Sequence, residues 1–249
     1  MRALVTGGAA GIGLAIARRF HAGGMKLLVC DMDEAGLASA AAEMPGIATF
    51  CCDVSREGDV TALFAALEPA LGGLDVLVAN VGIGGPTLPA EELPSAQWQR
   101  VLDVNLTGTF EVTRRAIPLL KASAGTIIIM SSAAGRYGYP NRIAYATTKW
   151  GLVGFAKTLA MELGAHDVTA NAILPGAVGG ERYDRVIAGR AALSGRSIEA
   201  EMAAGLTTQS LKRVVDPAHV ADLAFFLTTP AGRSISGQAL PIDCDLQHG

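Results

Sequence analysis

The chain has 249 residues, half of them hydrophobic and only 17% charged, with a formal net charge of −3. That length suits one large α/β domain with a sizeable core, and the faint acidic balance excludes a basic surface for nucleic acid or anionic membrane. The four cysteines, Cys30, Cys51, Cys52 and Cys244, have neither metal-ligand spacing nor the density of a disulfide framework, so reduced, mostly buried thiols are expected.

The opening residues MRALVTGG run directly into a strand, Ala3 to Val5, and a glycine loop, leaving no stretch that reads as a signal peptide; a cytoplasmic protein is the expectation. No uninterrupted apolar run approaches ~18 residues, so no membrane span is expected. After the strand come Thr6-Gly7-Gly8-Ala9-Ala10-Gly11-Ile12-Gly13 and a helical pattern, LAIARRF. Strand, glycine turn and helix is the order that binds phosphate: the glycines permit close backbone approach, and the helix start offers free N–H groups and a partial positive charge. The spacing is Gly-x-x-x-Gly-x-Gly and departs from the commoner Gly-x-Gly-x-x-Gly.

Lys26 to Cys30 reads as the second strand, with Asp31 at its carboxyl end, eighteen positions after Gly13. A carboxylate there can accept hydrogen bonds from an adenosine ribose; the alternative is an N-cap for the Ala-rich helix 34–43, which Asp33 also precedes. Ile47 to Cys52 is the third strand, ending in Asp53-Val54 before a helix to about Glu68, and Leu74 to Ala79 is the fourth, ending in Asn80-Val81-Gly82. Alternating strands and helices with continuous apolar strands predict a doubly wound parallel sheet, Rossmann-like, with about seven strands and helices on both faces. Trp98 to Leu120 reads as one helix with Asn105 inside it, a polar amide that either caps or kinks the helix or belongs to a site.

Thr126 to Met130 is a β-branched strand that delivers Ser131 and Ser132 at its carboxyl end, where ligands bind in open α/β sheets. Thirteen residues beyond Ser132 lies Tyr145, and four further on Lys149, which share one helix face. A free tyrosine has a pKa near ~10, and a neighbouring ammonium favours the phenolate, so Tyr145 is a candidate general acid/base. The helix 145–164 is apolar on nearly every side and carries Trp150, Leu152, Val153, Phe155, Leu159, Met161 and Leu163, more than one sheet contact covers. Val168 to Leu174 is the sixth strand, stopped by Pro175-Gly176. The looser 177–210 segment holds Arg182, Arg185, Arg190 and Arg196 among several acidic residues, reads as a substrate lid, and allows a surface pair such as Glu181 with Arg185. Asp216-Pro217 starts a helix to about Leu227, and Gln238 to Ile242 is the last strand. Neither repeat nor linker interrupts the pattern, so residues 1–249 are expected to form a single domain for cofactor binding and catalysis.

The set TGGAAGIG at 6–13, Asp53-Val54, Asn80-Val81-Gly82, Asn105, Ser132 with Tyr145-x-x-x-Lys149, and Pro175-Gly176 closely resembles the short-chain dehydrogenase/reductase family over essentially the whole chain. The resemblance implies that Gly7, Gly11, Ile12 and Gly13 line the pyrophosphate and adenosine side, Asp53 and Val54 hold the adenine, and Asn80 with Gly82 shape the adenosine pocket. It implies Tyr145 as acid/base, Ser132 polarising the substrate oxygen, and Lys149 binding the nicotinamide ribose. It gives Asn105 a relay water and Val178, after Pro175 and Gly176, a backbone contact to the nicotinamide. Three departures stand out: Val81 where alanine is usual, Gly180 where a threonine is usual, and the tail IDCDLQHG where two glycines are more usual.

The resemblance then implies an oxidoreductase that interconverts a secondary alcohol and a ketone with NAD, with no metal, no nucleic-acid partner and a homotetrameric assembly. Within enzymes the alternative is an NADPH-dependent 3-oxoacyl reductase, which Asp31 and the absence of a basic residue from the glycine loop oppose. Outside enzymes it is a catalytically silent cofactor-sensing regulator, which the intact Asn105, Ser132, Tyr145 and Lys149 oppose.

Overall fold

The computed structural model describes residues 1–247, with the Arg182 side chain outside the description. Seven parallel strands, β1 (Arg2–Thr6), β2 (Lys26–Asp31), β3 (Ala48–Cys51), β4 (Val76–Ala79), β5 (Thr126–Met130), β6 (Thr169–Pro175) and β7 (Ala239–Ile242), form one sheet in the order β3-β2-β1-β4-β5-β6-β7. The sequence reverses direction across the sheet between β1 and β4, and the crevice beyond their carboxyl ends is where such sheets bind ligands.

Alternate residues of each strand enter two separate cores. Leu4, Leu28, Leu77, Ile127 and Ile129 pack on α3 (Glu57–Leu71), α5 (Gly108–Ser123) and α6 (Ile143–Leu163). Ala3, Val5, Val29, Val78 and Ile128 pack on α1 (Gly11–Ala22), α2 (Glu34–Glu43) and α9 (Pro217–Phe226). Because both faces are covered, the central strands read as unbroken apolar runs, and each fully buried Leu, Ile or Val contributes about 1.5–3 kcal/mol. The edge strand β3 alternates half-buried and exposed residues, so its expected continuous burial fails where only one neighbour covers it.

The boundaries differ in physically readable ways. The helix expected over 98–120 starts earlier, as α4 (Ser95–Leu102), passes through a π-helical turn at Asp103–Thr107, and resumes as α5. The helix expected to end near Glu68 runs on through Pro69 to Leu71 and stops at Gly72, whose φ of 72° is left-handed. The segment 177–210, expected to be loose, contains α7 (Glu181–Ser194) and α8 (Ile198–Thr207). All four thiols are free; Cys30 and Cys52 are buried, Cys244 is half-buried, and Cys51 is exposed on the edge strand, against the expectation for that residue. Among the described residues no helix is long and apolar enough to cross a membrane.

Candidate functional site

The carboxyl ends of the strands open into a cavity of about 1370 Å³, larger than the ~300–1,000 Å³ of ordinary small-molecule sites and roomy enough for a dinucleotide with a small substrate. One end is built by the glycine loop between β1 and α1. Gly7 and Gly11 hold φ of 64° and 54°, and a Cβ on Gly13 would lie 2.0 Å from the Gly7 carbonyl oxygen. The N-cap of α1 is Ala10, which brings no side-chain acceptor to the first turn, so the N–H groups of Gly11, Ile12 and Gly13 line the cavity with the positive end of the helix. Asn80, past the end of β4, donates from Nδ2 to the Thr6 and Gly7 carbonyls at 3.1 and 3.0 Å, while its own N–H donates to Thr6 Oγ1 at 3.0 Å. Asn80 therefore locks the loop to the neighbouring strand.

Asp31 lines the same end. Its Oδ2 accepts from the Ala9 N–H at 3.1 Å, and Oδ1 from the N–H groups of Met32 and Asp33 at 2.7 and 3.2 Å. The helix cap is Asp33, which accepts from the Gly36 N–H, so Asp31 is not the cap of α2. Asp53 and Val54 form the next wall. Burial works against the Asp53 carboxylate, but hydrogen bonds from the Ser55 hydroxyl and N–H and from Arg100 outweigh it and hold the carboxyl below its usual range. Two arginines also line this end: Arg100, paired with Asp53 at 3.3 Å, and Arg18, whose Nε and Nη2 donate to both Glu43 oxygens at 2.6 and 2.7 Å.

At the other end β5 and α6 converge. Lys149, only 2% exposed, donates from Nζ to the Met130 carbonyl at 2.7 Å and lies 5.6 Å from the centre of the Tyr145 ring. Ser131 Oγ donates to the Lys149 carbonyl at 2.7 Å, and a Cβ on Gly135 would meet that carbonyl at 2.6 Å, so strand end, turn and helix are pressed together. Ser132 lies on the cavity wall, its Oγ accepting from the Ala134 N–H at 3.2 Å, with Tyr145 and Lys149 on the same wall.

Asn105 sits elsewhere. It is fully buried in the π-helical turn, its Oδ1 accepts from the Ile83 N–H at 2.8 Å, and its Nδ2 donates to the Ile83 carbonyl and Thr148 Oγ1, both at 3.0 Å. The amide thus ties the loop after β4 to the helix of Tyr145 and Lys149 from behind the cavity wall. The extra residue of the π-helical turn marks where a side chain inside the helix is turned toward a neighbour.

Pro175, Gly176 and Val178 complete the floor beneath α7. A Cβ on Gly176 would lie 2.8 Å from the Asp243 backbone, and Val178 bridges Val215 in parallel fashion. Gly180 has φ 125° and ψ 176°, a conformation reserved for glycine, which explains why no threonine stands there. In the tail, Cys244 and Asp245 hold φ of 59° and 57° at non-glycine residues; its last two residues lie outside the described ones. Among the described residues no ion pair joins Glu181 to Arg185; the pair formed in this segment is Arg196 with Glu201 at 3.4 Å.

Sequence reasoning missed one wall of the cavity. Tyr139 packs edge-on to Tyr145 with ring centres 6.3 Å apart, and Arg142, buried at 6% exposure, stands 5.2 Å from the Tyr145 ring centre and 5.5 Å from that of Tyr139. Arg190 on α7 joins them at the Tyr139 ring. The signal available in the sequence was the pair Arg142 and Tyr139 just upstream of Tyr145, in a stretch that reads as a turn.

A family model described as enoyl-(acyl carrier protein) reductase matches residues 7–245. The chain is 34% identical over 228 residues to the L-fucose dehydrogenase of Bos taurus, covering 92% of this chain and 83% of that one. It is 39% identical over 174 residues to the 2-dehydro-3-deoxy-L-rhamnonate dehydrogenase (NAD(+)) of a Sphingomonas species, covering 70% of each. The solved structure of an actinorhodin polyketide ketoreductase variant with NADPH superposes with a TM-score of 0.95 at 32% identity, over 99% of this chain and 97% of that one.

Proposed function

Because this chain belongs to the short-chain dehydrogenase/reductase family, we propose that it is an NAD-dependent enzyme interconverting a secondary alcohol and a ketone, with Tyr145 as general acid/base. The observation that carries this reading is the convergence of Ser132, Tyr145 and Lys149 on one cavity that also contains the glycine loop and Asp31. Backbone N–H groups at the start of α1 fit a pyrophosphate, and the missing Cβ of Gly13 lets the helix start pack directly against the Gly7 carbonyl, which keeps the loop closed around that position. Asp31, fixed by three backbone N–H groups, fits ribose hydroxyls and opposes a 2′-phosphate. When bound, the nicotinamide supplies the hydride donor or acceptor.

Tyr145 takes the proton from the substrate hydroxyl in oxidation and returns one to the carbonyl oxygen in reduction. Lys149 at 5.6 Å and Arg142 at 5.2 Å from its ring favour the phenolate by charge, since an opposite charge at that range stabilises the ionised form. Ser132 donates a hydrogen bond to the substrate oxygen and orients it toward Tyr145. Asn105 keeps the α6 face in register through Thr148, with the water relay implied by the family resemblance served from that neighbourhood. The lid over 177–210 closes the substrate end and excludes water.

We further propose a homotetramer. Phe110 on α5 and Trp150 and Met161 on α6 are 49%, 52% and 86% exposed, apolar surface of the kind a partner subunit covers. The free thiols fit the reducing cytoplasm.

The deciding experiment is Tyr145→Phe. It is expected to keep cofactor affinity and to lower kcat by at least ~10²-fold, the lower range for a lost general acid/base. Reduced-cofactor absorbance with a panel of secondary alcohols reads the rate, and near wild-type turnover by the variant refutes the assignment.

A further inference from the structure

Resting on the oxidoreductase reading above, we infer that the substrate is a small hydroxy or keto acid whose carboxylate is held by Arg190, with Arg142 as a second positive charge beside it. Arg190 reaches from α7 into the substrate end of the cavity. Its Nη2 donates to the Tyr139 hydroxyl at 3.0 Å, and its guanidinium carbon lies 5.3 Å from the Tyr139 ring centre. Arg142 stands 5.5 Å from the centre of the same ring. Two guanidinium groups thus flank one tyrosine, and that tyrosine packs against the ring of Tyr145.

The charge balance separates Arg190 from the two arginines at the adenosine end. Arg18 and Arg100, at the adenosine end, are each neutralised by a carboxylate, Glu43 and Asp53. Arg190 forms no ion pair with any carboxylate among the described residues; its recorded partner is a neutral phenol. The buried carboxylate of this segment, Glu201, is engaged by the Ser194 hydroxyl at 2.7 Å and by Arg196 at 3.4 Å. Tyr183, also on this wall, has its phenol pushed up by burial, with Arg190 acting in the opposite direction, so it presents a neutral hydroxyl to an anion.

A half-buried guanidinium held against an aromatic face keeps its fork oriented, which suits a planar carboxylate, and charge-assisted bonds of this kind are about twice as strong as neutral ones. The Tyr145 ring centre lies 6.3 Å from that of Tyr139, and the Arg190 guanidinium carbon 5.3 Å from the latter, so Arg190 stands one aromatic ring away from the proposed acid/base.

The test uses NAD-loaded protein and matched pairs: 2-, 3- and 4-hydroxy acids and aldonates against their methyl esters or neutral sugars, with wild type, Arg190→Gln and Arg190→Lys. The acid is expected to exceed its neutral partner by at least roughly tenfold in kcat/KM. Arg190→Gln is expected to raise KM for the acid by about tenfold with little change in kcat or in the neutral partner, and Arg190→Lys to recover part of the loss. Calorimetry of the same acids on NADH-loaded protein gives a readout independent of turnover, with Kd raised by Arg190→Gln. Equal use of acids and neutral partners, unaffected by Arg190→Gln, overturns the inference while leaving the alcohol dehydrogenase reading intact. Preference for a phosphorylated alcohol over every acid overturns the carboxylate assignment. If no compound is turned over, the function reading fails, and calorimetry still decides: carboxylate binding weakened by Arg190→Gln upholds the anion site, and its absence overturns it.

Discussion

Replacing Asp31 by serine tests cofactor choice at the residue proposed to bind the adenosine ribose. In the wild-type chain a 2′-phosphate would bring a second anion to about the hydrogen-bonding distance of this carboxylate. Two like charges at ~4 Å in an effective dielectric near ~20 repel by roughly 4 kcal/mol before screening and relaxation. Even a third of that gives about a tenfold preference for NAD. The carboxylate cannot swing away cheaply, because Ala9, Met32 and Asp33 all donate backbone N–H groups to it. The cation nearest in role, Arg18, is held in two bonds by Glu43 and is not available to receive the phosphate without giving that pair up. Asp31→Ser is therefore expected to shift the ratio of kcat/KM for NADP over NAD upward by about tenfold or more. Adding Glu43→Gln, which releases Arg18, is expected to increase the shift further. The assay is initial-rate measurement with both cofactors at fixed substrate. Equal use of NAD and NADP by the wild-type enzyme, or an unchanged ratio in Asp31→Ser, refutes the reasoning.

Gly13→Ala is expected to abolish cofactor binding, measured as loss of bound-NADH fluorescence, because its Cβ would meet the Gly7 carbonyl at 2.0 Å and force the loop open. Trp150→Glu is expected to convert the proposed tetramer to smaller species in light scattering, since it would place a charge in the proposed subunit contact; a wild-type monomer at micromolar concentration removes the tetramer reading altogether. Asp75 accepts from Arg2 Nη2 at 2.6 Å and from its N–H at 2.7 Å, and those bonds hold its carboxyl below the usual range. The sign follows: the folded-state pKa is depressed, so this contribution to stability is fully present above the unfolded value near ~3.9 and is lost as pH falls through the folded value. Urea melts between pH 5 and pH 2 should flatten in Asp75→Asn, and an unchanged slope would contradict the pairing.

The sequence by itself determined the sheet and the glycine-loop end of the cavity. Ala3 to Val5, Leu74 to Ala79 and Thr126 to Met130 are apolar on both faces, and only a parallel sheet covered on both sides buries such runs. The glycine loop, Asp31 and the Tyr145-x-x-x-Lys149 pair were legible because each depends on local geometry: a turn, a strand end, one helical repeat. What depended on distant contacts was not legible. Asn105 read either as a helix cap or kink or as a residue of the site; it lies in the π-helical turn with its amide bonded to Ile83 and to Thr148, 43 positions away, and only the folded chain brings those partners to it. Arg142 and Arg190 lie far apart in sequence among residues that read as turn and surface helix, and no periodicity marks them as neighbours. Both come to the Tyr139 ring because helix α7 folds back over the carboxyl end of the sheet and sets Arg190 against Tyr139. Patterning fixes which face of a strand or helix is buried, whereas the charge lining a cavity is decided by which loops and helices the closed structure brings over its mouth.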